Sequence, residues 1–153
     1  MGRCARRRRW CARALGHLIG QRFVTGASLV TAGAAVAVGA AIGALLRWAA
    51  GLWLNPLWQG FPLGTLAVNA VGGLLIGAAL VWLEARPNEV MRLFAIVGVL
   101  GGFTTFSAFS AESLVLLQRE QYGMALLHGL AHVLGSLGCA VLGFVVGRHW
   151  VHG

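Results

Sequence analysis

Apolar residues run almost without interruption through four stretches of this chain, at about residues 27–48, 63–83, 90–117 and 122–146, with short polar turns between them. An apolar helix of about 20 residues rises far enough to cross a ~30 Å hydrocarbon core, so the pattern predicts four transmembrane helices. The first turn holds Asn55, Pro56, Gln59, Gly60 and Pro62, with Trp58 and Phe61 placed at the membrane interface. The second is a charged hairpin loop containing Glu84, Arg86, Pro87, Asn88, Glu89 and Arg92, and the third spans Gln118 to Gln121.

The third apolar stretch departs from the other three. From Gly101 to Ser113 it reads GGFTTFSAFSAES, two glycines and a run of hydroxyls among three phenylalanines. Gly loses much backbone entropy in a helix and Thr competes for nearby carbonyls, so the helix is expected to break here. Within a bilayer an unwound turn survives only where protein or a water-filled cavity satisfies its backbone, which directs the search for function to residues 101–112. Phe103, Phe106 and Phe109 recur every third residue beside Thr104, Ser107 and Ser110. Aromatic edges carry partial positive charge, so this face either packs against neighbouring helices or holds a small anion beside hydroxyl donors.

Three further polar features interrupt the apolar runs. Thr65 and Asn69 share a face of the second helix with Gly73 and Gly77, and an intramembrane Asn serves either as interhelical glue or as pore lining. Gly39 and Gly43 repeat the same small-residue spacing in the first helix, whose Arg47 either snorkels to the interface beside Trp48 and Trp53 or forms an anion-attracting vestibule. His128, His132 and Ser136 follow at four-residue steps on the fourth helix. No Glu accompanies the two His in an HExxH pattern, so an aqueous lining or an interhelical bond is preferred to a metal site. Glu112, near the end of its span, is read as at least as readily structural or solvated as functional.

Composition agrees with an all-α integral membrane protein of one four-helix transmembrane domain over 26–148. Hydrophobic residues make up 58% of the chain and charged residues 10%, too apolar for a soluble domain. The net charge of +8 is local: seven of the twelve Lys and Arg fall between Arg3 and Arg22, in a basic extension over 1–25 that is expected to be disordered. Such a cluster suits the cytoplasmic flank of a membrane helix and contact with membrane lipid, and no nucleic-acid role is expected. Cys4, Cys11 and Cys139 form no CxxC pair and imply no disulfide or zinc framework. Residues 149–153 are read as a C-terminal tail. Apart from the extension, Arg86, Arg92 and Arg148 fall on the side of the termini and Arg47 and Arg119 on the other, a near balance that would permit insertion in either orientation.

The stretch GGFTTFSAFS at 101–110, with GAAIGALLRW at 39–48 and PLGTLAVNAVGGLLIG at 62–77, strongly resembles the CrcB or Fluc family of fluoride ion channels over about residues 30–148. The resemblance implies a multi-pass protein of the plasma membrane, a passive channel and not an enzyme. It would export fluoride that entered as the neutral acid. It further implies an antiparallel dual-topology dimer of identical or paralogous subunits enclosing two fluoride pathways, with a structural sodium ion held by main-chain carbonyls of Gly101 and Thr104. Phe106 and Phe109 would offer ring edges to fluoride and Asn69 a hydrogen bond. Arg47 matches an arginine near the pathway entrance, Ser107 a hydroxyl between the two rings, and Ser136 a fourth-helix hydroxyl. This chain departs from the family pattern at Ala108, where a hydroxyl is usual, at His128, where tyrosine is common, and at His132, where serine or a similar residue is common. If His132 lines the pathway, flux is expected to depend on pH. A small four-helix proton-coupled multidrug exporter would need a membrane-embedded acid, and the first helix has none. A noncatalytic membrane assembly protein would leave the broken third helix unexplained.

Overall fold

The computed structural model describes residues 26–58 and 61–152, so the basic extension over 1–25 lies outside the described residues. Residues 32–153 form one compact unit, within which the following packing is found. Helix α1 runs Gly26–Leu54, and a short 3-10 turn, Asn55–Leu57, follows it. Helix α2 is Leu63–Ala85. The third span begins as α3, Glu89–Arg92, continues as a π-helical stretch over Leu93–Leu100, and passes through α4, Gly101–Phe103. It resumes as α5, Phe106–Gln118, and α6, Tyr122–His152, completes the chain. Helix α6 therefore continues through residues 149–152, which the sequence suggested as a tail.

Among the described residues four segments are long and apolar enough to cross a membrane: Ser28–Leu57, Leu63–Ala85, Glu89–Gln118 and Tyr122–Val151. Their connections are built from local polar chemistry. The Asn55 side chain accepts from Gly64 N at 2.8 Å and so satisfies an orphan amide at the start of α2. Asn88 caps α3 by accepting from Met91 N at 2.9 Å, and Arg92 closes an exposed ion pair with Glu89 at 2.6 Å. After α5 the chain reverses through Glu120, whose φ of 58° places it in the left-handed region.

Buried apolar side chains are few: Phe61, Val68, Val81, Leu83, Leu100 and Leu116 among the described residues. Close backbone approach holds the bundle together instead, as expected where lipid removes the hydrophobic drive between helices. Helix α2 packs extensively on α6. A Cβ on Gly73 would fall 2.5 Å from the Ser136 carbonyl oxygen, and one on Gly77 would strike that of Ala140. The first helix packs on the third span in the same manner, since a Cβ on Gly39 would fall 2.5 Å from the Phe94 carbonyl oxygen. Both small-residue pairs seen in the sequence are thus helix contacts. Leu, Val and Trp side chains of α1 and α6 are exposed, as a lipid-facing surface requires.

Candidate functional site

The break in the third span falls at Thr104 and Thr105, which are extended at φ −79°, ψ 158° and φ −153°, ψ 117°. Unwinding frees backbone groups, and neighbouring elements take up several of them. Asn69 on α2 brings its carboxamide against the Thr105 peptide units: Thr105 N donates to Asn69 Oδ1 at 2.8 Å, and Asn69 Nδ2 donates to Thr105 O at 3.0 Å. Arg47 Nε donates to Gly102 O at 3.0 Å. Thr105 then caps the new helix, its Oγ1 accepting from Ala108 N at 3.1 Å.

Gly101 O and Thr104 O are among the carbonyls that come out of this exchange without the amide a continuous helix would give them. The partner due to Gly101 O is Thr105 N, now bonded to Asn69, and the partner due to Thr104 O is Ala108 N, now bonded to Thr105 Oγ1. Both residues line an open groove of about 440 Å³ at the break.

The groove brings together most of the residues singled out in the sequence. Asn69, Phe106, Phe109, His132 and Ser136 line it with Gly101 and Thr104. Phe106 is 76% exposed and lies 5.3 Å from Phe109 between ring centroids. Two of the singled-out residues are placed elsewhere. Ser107 is exposed and pairs with Thr105 Oγ1 at 3.2 Å, and Arg47 reaches back to the break instead of standing free at the interface.

Asn69 also fixes how His132 is protonated. Its carboxamide orientation is set by the two Thr105 bonds, so the remaining Nδ2 hydrogen faces His132 Nδ1 at 3.2 Å. That nitrogen must accept, which puts the proton of the neutral ring on Nε2.

Beside the groove lies a second cluster that the sequence did not assemble. His128 is fully buried, and its ring sits 4.4 Å from His132, 5.2 Å from Phe109 and 5.4 Å from Phe61. Phe61, read from the sequence as interfacial, is therefore buried against the fourth span. Glu112 turns inward from α5: its Oε1 accepts from Thr65 Oγ1 at 2.5 Å, and its Oε2 stands 3.4 Å from His128 Nε2. His128 Nδ1 in turn meets Ser113 Oγ at 3.1 Å. The signal for this cluster was Glu112 itself, an acid inside an apolar span, which is costly unless paired.

The family described as "CrcB-like protein, Camphor Resistance (CrcB)" matches residues 34–144. The chain belongs to the CrcB-like family. A relative from Aromatoleum aromaticum, named "Fluoride-specific ion channel FluC", is 52% identical over 118 residues, covering 76% of this chain and 90% of the relative. Proteins of the same name from Thiobacillus denitrificans and Nitrosospira multiformis are 50% and 51% identical, over 75% and 72% of this chain and 94% and 88% of theirs. The CrcB-like match contains the broken third span, Asn69, Arg47 and every residue lining the groove.

Proposed function

We propose that this chain is the subunit of a fluoride-specific ion channel that lowers cytoplasmic fluoride by passive export across the plasma membrane. The observation that carries the reading is the agreement of two facts. The groove at the helix break lies within residues 34–144, which the CrcB-like family matches, in a chain 52% identical to a relative named a fluoride-specific ion channel, and it is lined by Phe106 and Phe109 beside Asn69, His132 and Ser136. Fluoride gives up its strongly bound water only where other donors replace it, yet it must be held weakly enough to leave.

In this reading Phe106 and Phe109 guide fluoride by their ring edges, with the Ser136 hydroxyl as a donor along the groove. Ser107 extends the hydroxyl line beyond Thr105. Asn69, expected from the family pattern to donate to fluoride, has both amide hydrogens engaged, by Thr105 O and His132 Nδ1. It therefore shapes the route by holding the break and His132, and binds fluoride directly only by giving up one of those bonds. Arg47 contributes positive charge at the break.

A structural sodium ion fits the donor set. Gly101 O and Thr104 O have lost their helical amides, carbonyl oxygens suit a hard cation, and a buried positive charge favours anions nearby. Two carbonyls are too few to coordinate such an ion alone, so the site is completed by a second identical or paralogous subunit. The open groove points the same way: an antiparallel dimer encloses what one chain leaves exposed. The chain performs no bond chemistry in this account. Liposomes holding the purified protein should release trapped fluoride and retain chloride; equal release of both, or of neither, rejects the assignment.

A further inference from the structure

Three buried side-chain atoms among the described residues have no hydrogen-bond partner: Glu112 Oε2, His128 Nε2 and His132 Nε2. Such orphans are costly and rare, and these three are not scattered. The same three residues each offer a ligand atom within 4.8 Å of the others. We propose that Glu112, His128 and His132 form a binding site for a divalent transition cation of the zinc class.

The donor set is two imidazoles and one carboxylate, a known three-ligand combination for zinc that leaves a fourth position for water. The two histidines stand one turn apart on α6, so a rigid element presents both to the same point. Glu112 comes from α5 across the helix contact, which is why no HExxH pattern shows in the sequence. The 3.4 Å between Glu112 Oε2 and His128 Nε2 matches the roughly 3.3–3.4 Å edge of a tetrahedron with metal–ligand bonds of about 2.0–2.1 Å. Second contacts orient the ligands. Thr65 holds the other carboxylate oxygen, and Ser113 accepts from His128 Nδ1–H when Nε2 ligates.

His132 is the arm that must adjust. With its Nδ1 accepting from Asn69, its Nε2 carries the proton in the metal-free protein; for Nε2 to ligate as neutral imidazole that proton moves to Nδ1, and the Asn69 contact is exchanged for the metal bond. Asn69 keeps both bonds to Thr105, and the break stays pinned. His132 is 4% exposed and lines the groove, which gives the cation a path in. Hard cations such as sodium prefer all-oxygen sites, so this cluster is chemically distinct from the carbonyl pair at Gly101 and Thr104.

The test uses the full chain, purified in detergent and stripped with a chelator, and does not depend on fluoride conduction. Cobalt(II) serves as the probe, because four- or five-coordinate nitrogen and oxygen ligation gives visible absorption bands far stronger than those of the hydrated ion. One cobalt per chain should produce these bands, and zinc should abolish them by displacement. Glu112→Gln, which still accepts from Thr65, and His128→Tyr should each weaken binding at least about tenfold. If Glu112→Gln fails to fold, His128→Tyr carries the comparison. No visible bands at saturating cobalt, or wild-type binding in the folded variants, overturns the proposal; the latter would assign the metal to other histidines or cysteines of the chain.

Discussion

Replacing Asn69 by Leu keeps the branched shape of the side chain and removes the group that pins the break. Thr105 is only 8% exposed, and both its N–H and its C=O are bonded to Asn69. The Thr105 carbonyl keeps the first amide of α5, as an N-cap carbonyl does, so the variant orphans the N–H alone, at a cost of about 1–3 kcal/mol. Hydrogen bonds between membrane helices often measure nearer 0.6 kcal/mol, because the unfolded chain in the bilayer finds other partners, which favours the lower part of that range. We expect a loss of about 1–2 kcal/mol, roughly a 5- to 30-fold shift in the unfolding equilibrium. Reversible unfolding in mixed micelles, followed by helix circular dichroism at fixed protein concentration, reads it directly. A variant within about 0.5 kcal/mol of wild type would refute the account of the break as held open by Asn69.

Arg47→Gln removes the charged donor to Gly102 O, a bond of the ~1.5–3 kcal/mol class, and should lower stability in the same unfolding assay while slowing fluoride flux. Unchanged stability would return Arg47 to a solvated role at the interface. Protonating His132 removes the lone pair that accepts from Asn69, so wild-type flux should fall from neutral to acidic pH, and His132→Ser should flatten the profile. Identical pH profiles in the two proteins would exclude His132 from the route.

Four spans were legible from apolar run length alone, because the bilayer sets one demand on every crossing element. The weak point of the third span was equally visible, since Gly101, Gly102, Thr104 and Thr105 each disfavour a continuous helix for a local reason. Its placement at Thr104 and Thr105 was not. It depends on Asn69 and Arg47 arriving from two other helices to accept and donate at the unwound turn, and no spacing in the third span encodes that. Glu112 shows the same limit. Periodicity placed His128 and His132 on one face, but only packing of α5 on α6 brings the carboxylate to them. Likewise, nothing in the turn around Phe61 showed that its ring would be held by Trp58 and His128.

The central claim is that fluoride crosses at the broken third span, past Phe106. Fluoride-electrode recording of efflux from liposomes carrying wild type or Phe106→Ile tests it most directly. Phe106 is largely exposed in the subunit, so the variant should remain folded by circular dichroism. The account predicts rapid wild-type efflux and none above protein-free liposomes for the variant; wild-type flux through Phe106→Ile would contradict it.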